Sequence, residues 1–362
     1  MAKGKEIILY VGGFQLPDKN AAALRVINNA KAFRELGYTV IFLNALEDYE
    51  YGESEWTSYD GFKTWNYRRE SQWKYLLCCK TIISMIRKTE AGIVITYNYP
   101  SVALNRLRIY CQDQRIKCIA DITEWYMPYG NPIYKLIKSL DTLFRMRYVH
   151  PRMDAAIVIS EYLYQFYKCK VKTVKIPPLV DLNEEKWKVY TKKKSDCVKF
   201  IYAGSPSVQK ERLDLIIQEV ESLKINIKVH LDVLGITKEQ FNKIYRQKYC
   251  GGRVSFHGRV SNDIAVSMIR NSDWAVVLRD KNRVVQAGFP TKISEAIACG
   301  TPVIANNFSN IEDYLNEENS ILIETVYEFK NALLKAISSK KTFSNKVFDY
   351  REYIDEFKRL LE

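Results

Sequence analysis

Short apolar runs alternate with longer amphipathic stretches along this chain, and the whole series occurs twice. In the first half the runs are 7–12, 39–45, 93–97, 118–122, 155–160 and 173–176. In the second half they are 198–203, 228–234, 254–257, 274–278, 302–305 and 321–323. Helical periodicity fills most of the gaps, notably at 21–36 and 73–88. Strands that alternate with helices feed parallel sheets through right-handed crossovers. The pattern therefore predicts an α/β protein of two Rossmann-like domains with six strands each. A length of 362 residues suits two cores better than one. The first domain is expected at 1–180 and the second at 196–342, joined from Pro177-Pro178 to the lysine-rich 191–195. Residues 343–362 read as an amphipathic helix that returns to the first domain.

Composition narrows the function classes. No apolar run approaches the ~18 residues that span a bilayer, and MAKGKEIILYVGG enters a strand directly, so neither a signal peptide nor a membrane span is read here. The eight cysteines (78, 79, 111, 118, 169, 197, 250 and 299) form no CxxC pair and have no metal-ligand spacing with histidine, as expected of reduced thiols in the cytoplasm. The net charge of +13 is uneven: residues 1–196 hold 31 lysines and arginines against 21 acidic residues, residues 197–362 hold 24 against 21. A basic first half suits an anionic partner, or is simply a soluble basic surface. No nucleic-acid-binding module accompanies the charge.

The segment GFPTKISEAIACGTPVIAN, residues 288–306, carries the most specific chemistry. Gly288 and Pro290 break the chain before Thr291, the expected N-cap of a helix at 292–299. Gly300 falls where a left-handed C-terminal residue is wanted, and Pro302 opens a buried strand. The helix start offers unpaired N–H groups and a partial positive charge, to which Lys292 adds a full one. Glu295, one turn on, can accept from two adjacent hydroxyls such as those of a ribose. In the first half, Gly12 and Gly13 end the first strand where ligands of open α/β sheets bind. This is not a GxGxxG fingerprint, which argues against a nicotinamide cofactor.

Taken together, the two halves, the helix with Lys292 and Glu295, and Gly204…Lys210 in IYAGSPSVQKERLDL (201–215) resemble the retaining GT-B glycosyltransferases of family 4, the glycosyl transferases group 1. FHGRVS (256–261), AAIVISEYL (155–163) and KIPPLVD (175–181) add to the likeness, which covers nearly the whole chain. The resemblance implies two domains facing a central cleft. It also implies a nucleotide-diphosphate sugar as donor, bound by Gly12, Gly13, Gly204, Ser205, Lys210, Arg259, Val260, Arg279, Gly288, Phe289, Pro290, Thr291, Lys292 and Glu295. Three positions depart from the pattern. Ala287 stands where a glutamate often approaches the donor sugar, as in a subgroup with Pro-Thr-Lys-x-x-Glu. Ser205 replaces a common arginine, and no histidine ends the fourth strand, where the chain reads Asp121 to Tyr126.

Transfer from a nucleotide sugar leaves a diphosphate whose growing charge must be met. With no Asp-x-Asp and only three histidines in the chain, no metal site is read and no cofactor is expected. Lys210 and Lys292, with Arg279, are the candidate cations. Asp121 and Glu124, just past a strand end, are the candidate acid/base or acceptor-orienting groups. On the acceptor side, Ile133, Leu136, Ile137, Leu140, Leu143 and Phe144 share one helical face within 132–152. Lys135, Lys138, Arg145, Arg147 and Arg152 there oppose a single Asp141. Such a helix lies on anionic lipid or packs its apolar face into the first domain, and both can hold, since a core-packed helix still presents its lysines outward. The charge and the resemblance together point to a lipid-linked glycan acceptor at the cytoplasmic membrane face, in surface polysaccharide synthesis. A nucleotide-sugar 2-epimerase and a non-catalytic partner subunit that binds nucleotide or glycan remain open alternatives.

Overall fold

The computed structural model describes residues 6–17, 20–47, 54–69, 71–127, 130–189, 195–204 and 210–362. The chain divides into two compact units, Met1–Leu179 with Tyr350–Glu362, and Val180–Asp349.

The first unit is built on eight strands: β1 (Ile7–Gly12), β2 (Thr39–Leu46), β3 (Ser54–Tyr59), β4 (Phe62–Arg68), β5 (Ile93–Tyr97), β6 (Lys117–Ile122), β7 (Ala155–Val158) and β8 (Lys172–Lys175). Their order is β3-β4-β2-β1-β5-β6-β7-β8, parallel throughout except for the β3–β4 hairpin. Central strands of such a sheet are covered on both faces, which is why Ile8, Leu9, Tyr10 and Val11 of β1 are all fully buried. The hairpin adds two strands to the six expected from the sequence. Asp60 and Gly61 both take positive φ at its turn (51° and 78°), the geometry that Asp-Gly supplies. Trp56 faces Trp65 across it, with ring centroids 5.0 Å apart.

Two helical readings are corrected. The stretch read as one helix at 73–88 is two, Gln72–Leu77 and Lys80–Thr89, with a break at Cys78 and Cys79. The returning segment at 343–362 is helical only over Ile354–Leu361, preceded by short 3-10 turns. That helix buries Phe357 and Leu360 in the first unit, with Phe357 edge-on to Phe33 at 4.9 Å. Lys117 Nζ donates to the carbonyls of Leu360 (3.0 Å) and Leu361 (2.6 Å), so a cation closes the helix's negative end.

The second unit is a six-stranded parallel sheet: β9 (Val198–Ala203), β10 (Val229–Leu234), β11 (Val254–Gly258), β12 (Trp274–Val277), β13 (Val303–Asn306) and β14 (Ser320–Ile323). The order β11-β10-β9-β12-β13-β14 reverses direction between β9 and β12. At such a switch point the connections leave to opposite faces, and a crevice opens beyond the carboxyl ends of the strands. The β9–β12 pairing involves only Phe200 with Trp274 and Ile201 with Ala275. Phe200, Tyr202, Leu231, Trp274, Val276 and Ile304 fill the core beneath. No disulfide joins any of the eight cysteines, and among the described residues no helix is long and apolar enough to cross a membrane.

Candidate functional site

The segment around residue 291 folds much as its punctuation requires. The helix spans Thr291–Ala298; Pro290, not Thr291, is its N-cap, and no side chain caps it. The Thr291 and Lys292 N–H groups of its first turn thus lie ahead of the first intrahelical bond. At the other end Gly300 has φ +68°, and Thr301 N–H closes the helix on the Ala296 carbonyl (2.9 Å). The approach is fixed by Ser309, whose Oγ donates to the Gly288 carbonyl at 2.9 Å. Phe289 is buried edge-on against Tyr314 and Phe348 (5.3 and 5.9 Å). Its side chain therefore anchors the loop in the core.

Lys292 turns back over the switch point. Its Nζ donates to both oxygens of Glu211 at 2.8 and 2.9 Å and sits 4.1 Å from the centre of the Tyr202 ring. The same carboxylate accepts from Arg279 Nη2 (2.8 Å) and from the Tyr202 hydroxyl. Arg279 follows β12, and the Asn306 side chain at the end of β13 bonds its N–H (2.8 Å) and its carbonyl (2.9 Å). Gly204, at the end of β9, has φ +144°, and a Cβ there would lie 3.0 Å from Lys292 Nζ. Only glycine both adopts that backbone and leaves the lysine its place.

Two cations thus share one carboxylate, leaving one net positive charge, with Arg279 and Lys292 each 11% exposed and Glu211 5%. Burial alone would raise the Glu211 carboxyl, but Lys292 and Arg279 hold it below the usual range. Burial lowers the Lys292 ammonium against the pull of Glu211. Among the described residues Arg279 Nε is buried with no hydrogen-bond partner. A buried donor without a partner and an excess of positive charge are both relieved by an anion. Glu295, one turn behind Lys292, is pushed up to about 7 by burial, with Lys292 and Lys186 pulling the other way.

Sequence reasoning named Lys292, Arg279, Gly204 and Glu295, and the fold brings them to one end of the sheet. It missed Glu211, the centre of the cluster. The signal was its place in QKERLD beside the chosen Lys210. Lys210 itself is half-buried next to Glu211 but takes no part in the bonds that build the cluster. Ser205 lies outside the described residues. Arg259 is exposed and Val260 half-buried, just beyond β11, where Gly258 turns with φ +65°. Ala287 is fully buried at the end of the short Arg283–Ala287 helix.

In the first unit, Asp121 is not a proton acceptor for an incoming hydroxyl. It is fully buried and accepts from Tyr10 (2.5 Å), from Arg25 through Nε (3.0 Å) and Nη2 (2.8 Å), and from Asn29 (3.5 Å). That network joins β1, β6 and the Ala21–Glu35 helix, and is architecture. Glu124 stays half-buried past β6, beside Asn98 and the Tyr126 phenol, which burial and Glu124 raise. A Cβ on Gly12 would strike the Phe14 ring at 2.6 Å, and one on Gly13 would meet Arg69 Nη2 at 2.8 Å.

The basic amphipathic segment keeps its apolar face in solvent. Within the Pro132–Phe144 helix only Thr142 is buried, while Ile133 is 70%, Leu136 61% and Leu140 57% exposed. The reading that this face packs into the first unit is overturned. Asp141 tethers the helix by accepting from Ser101 N–H at 2.8 Å. A π-helical turn, Arg145–Val149, then rotates Arg145 inward to the carbonyls of Asn98 (3.1 Å) and Tyr99 (3.4 Å). Arg145 therefore does not belong to the outward cations; Lys135, Arg147 and Arg152 are exposed.

Among the described residues no three His, Cys, Asp or Glu side chains gather so as to hold a metal ion. Residues 197–339 match the family model of the glycosyl transferases group 1. No curated sequence is significantly similar to the chain. Among solved structures it is similar to sucrose-phosphate synthase from Thermosynechococcus elongatus, at 15% identity over 98% of each chain and a TM-score of 0.74. It is also similar to HepE from Anabaena in complex with UDP and glucose, at 14% identity over 98% of this chain and 99% of that one, TM-score 0.65. A third is the lipopolysaccharide outer core galactosyltransferase WaaB, at 12% identity over 98% and 99%, TM-score 0.63. At these identities the likeness establishes the fold: two parallel-sheet α/β units of the GT-B class.

Proposed function

We propose that the chain is a retaining glycosyltransferase that moves a sugar from a nucleotide-diphosphate sugar to a glycan acceptor without a metal ion. The observation that carries this is the excess positive charge at the β9–β12 switch point. Lys292, Arg279 and the uncapped helix start can meet the charge that builds on a leaving diphosphate. Glu295 is the group for the ribose hydroxyls, and Glu124 is the remaining candidate for orienting the acceptor. The family match over 197–339 and the UDP held by the similar HepE structure support the donor class. A retaining reaction asks for no strong protein nucleophile, since the leaving phosphate can assist the incoming hydroxyl, and none of the site's groups stands out as one.

The acceptor in this reading is lipid-linked, and the protein works at the inner face of the cell membrane in surface polysaccharide synthesis. The exposed apolar face of the Pro132–Phe144 helix, flanked by exposed Lys135 and Arg147, suits insertion at the boundary of an anionic bilayer. The test is donor turnover by the purified chain, with and without a polyisoprenyl-diphosphate-linked glycan. Acceptor-dependent release of nucleoside diphosphate is expected. Nucleotide binding with neither transfer nor hydrolysis would make the chain a non-catalytic binding subunit, and donor turnover without acceptor would favour an epimerase or a hydrolase.

A further inference from the structure

Of the two cations at the β9–β12 switch point, Lys292 is carried by a helix, whereas Arg279 stands in a stretch, 278–282, with no regular structure. The ladder between β12 and β13 ends at Val277 and Ala305, short of Arg279. The Asn306 side chain takes over where the ladder stops. Its Oδ1 accepts from the Arg279 N–H at 2.8 Å, and its Nδ2 donates to the Arg279 carbonyl at 2.9 Å. One amide thus holds the peptide groups on both sides of the Arg279 Cα. Peptide groups are planar, so fixing both fixes φ and ψ, and with them the direction in which the side chain leaves the backbone. Asn306 is 2% exposed, so water does not compete for either bond.

Two further contacts complete the hold. The Arg212 N–H donates to the Leu278 carbonyl at 3.0 Å, which brings Glu211 beside Arg279, and Arg279 Nη2 donates to Glu211 at 2.8 Å. The Phe308 ring centre lies 5.5 Å from the guanidinium carbon. An arriving diphosphate competes with Glu211 for this guanidinium, so that ion pair cannot by itself keep Arg279 in place for a nucleotide. The grip of Asn306 is on the backbone and survives the exchange. We propose that Asn306 is a positioning residue that aims Arg279 at the diphosphate of the donor. The identity of that anion rests on the transferase reading above; the hold of Asn306 on the pose of Arg279 does not.

A double-mutant cycle tests the proposal. Calorimetric titration of the full chain with UDP, ADP and GDP selects the nucleotide that the wild type binds. Arg279→Gln should weaken it about tenfold or more, the loss expected for a charge-assisted bond. Asn306→Ala should weaken it about five- to tenfold in the wild type, but less than about twofold in the Arg279→Gln background. No loss in the wild type, or an equal loss in both backgrounds, overturns the proposal, since Asn306 would then not act through Arg279. Should Asn306→Ala fail to fold, Asn306→Ser, whose hydroxyl can serve one of the two bonds, passes through the same cycle with the same expectation. If none of the three nucleotides binds, the donor reading falls, and the pose of Arg279 is read without ligand. Its Nε–H, buried with no hydrogen-bond partner among the described residues, gives a signal in nitrogen–proton correlation spectra that Arg279→Gln removes. Replacing Asn306 should shift or broaden that signal; an unchanged signal overturns the proposal.

Discussion

Replacing Glu211 by glutamine tests the electrostatic logic of the second unit. The carboxylate accepts from Lys292, Arg279 and Tyr202 in a site where all three charged groups are nearly buried. Glutamine keeps the volume and one acceptor oxygen but removes the only negative charge between two cations. Breaking a buried pair by removing one partner costs about 3–5 kcal/mol. For a unit the size of Val180–Asp349, each kcal/mol moves the midpoint by roughly 2–4 °C, so a fall of roughly 6–20 °C is expected in scanning calorimetry. The folded Glu211 carboxyl lies below its ordinary value of 4.5, so its stabilisation is present above that pH and is lost as pH falls. The gap between wild type and variant should therefore close in acid. A nucleoside diphosphate offers the same cations a new counter-charge, so UDP should raise the variant's midpoint by more than the wild type's. A Glu211→Gln protein that melts with the wild type at neutral pH would refute the reasoning.

Other outcomes follow from the same geometry. Burial pushes the Glu295 carboxyl up to about 7, and if ribose hydroxyls donate to its ionised form, nucleotide affinity should rise about tenfold from pH 6 to pH 8. Glu295→Gln should flatten that profile; an unchanged profile would remove Glu295 from the ribose. Because this carboxyl is raised on folding, its contribution to stability falls as pH rises from about 4.5 towards 7, which pH-dependent urea titrations of the two proteins can read. Leu136→Asp with Leu140→Asp removes two exposed apolar side chains from the Pro132–Phe144 helix. At about 1.5–3 kcal/mol per inserted side chain, binding to vesicles rich in phosphatidylglycerol should fall more than tenfold, with the melting temperature unchanged. Equal sedimentation with vesicles would end the membrane reading.

The fold was largely legible because central parallel strands are apolar on both faces and stand out as runs. All twelve such runs are strands, with edges shifted by two residues at most. The β3–β4 hairpin escaped because its strands alternate instead, with β3 on the edge of the sheet, although Asp60-Gly61 between aromatic residues announces a hairpin. Local punctuation found the Thr291–Ala298 helix. Sequence could not tell that Asp121 is spent on Arg25, or that Glu211 gathers Lys292 from 81 residues away, since both depend on side chains meeting across the sheet. The exposure of the Pro132–Phe144 helix was likewise beyond periodicity, which gives a face but not what covers it.

The central claim is that the β9–β12 switch point binds a nucleoside diphosphate through Lys292 and Arg279. Isothermal titration of UDP, ADP and GDP into the wild type and into Lys292→Ala tests it most directly. The account predicts that at least one nucleotide binds the wild type and that Lys292→Ala weakens it about tenfold or more, consistent with a loss of roughly two to three orders of magnitude in turnover. Absence of binding by all three nucleotides, or binding that Lys292→Ala leaves unaltered, would contradict it.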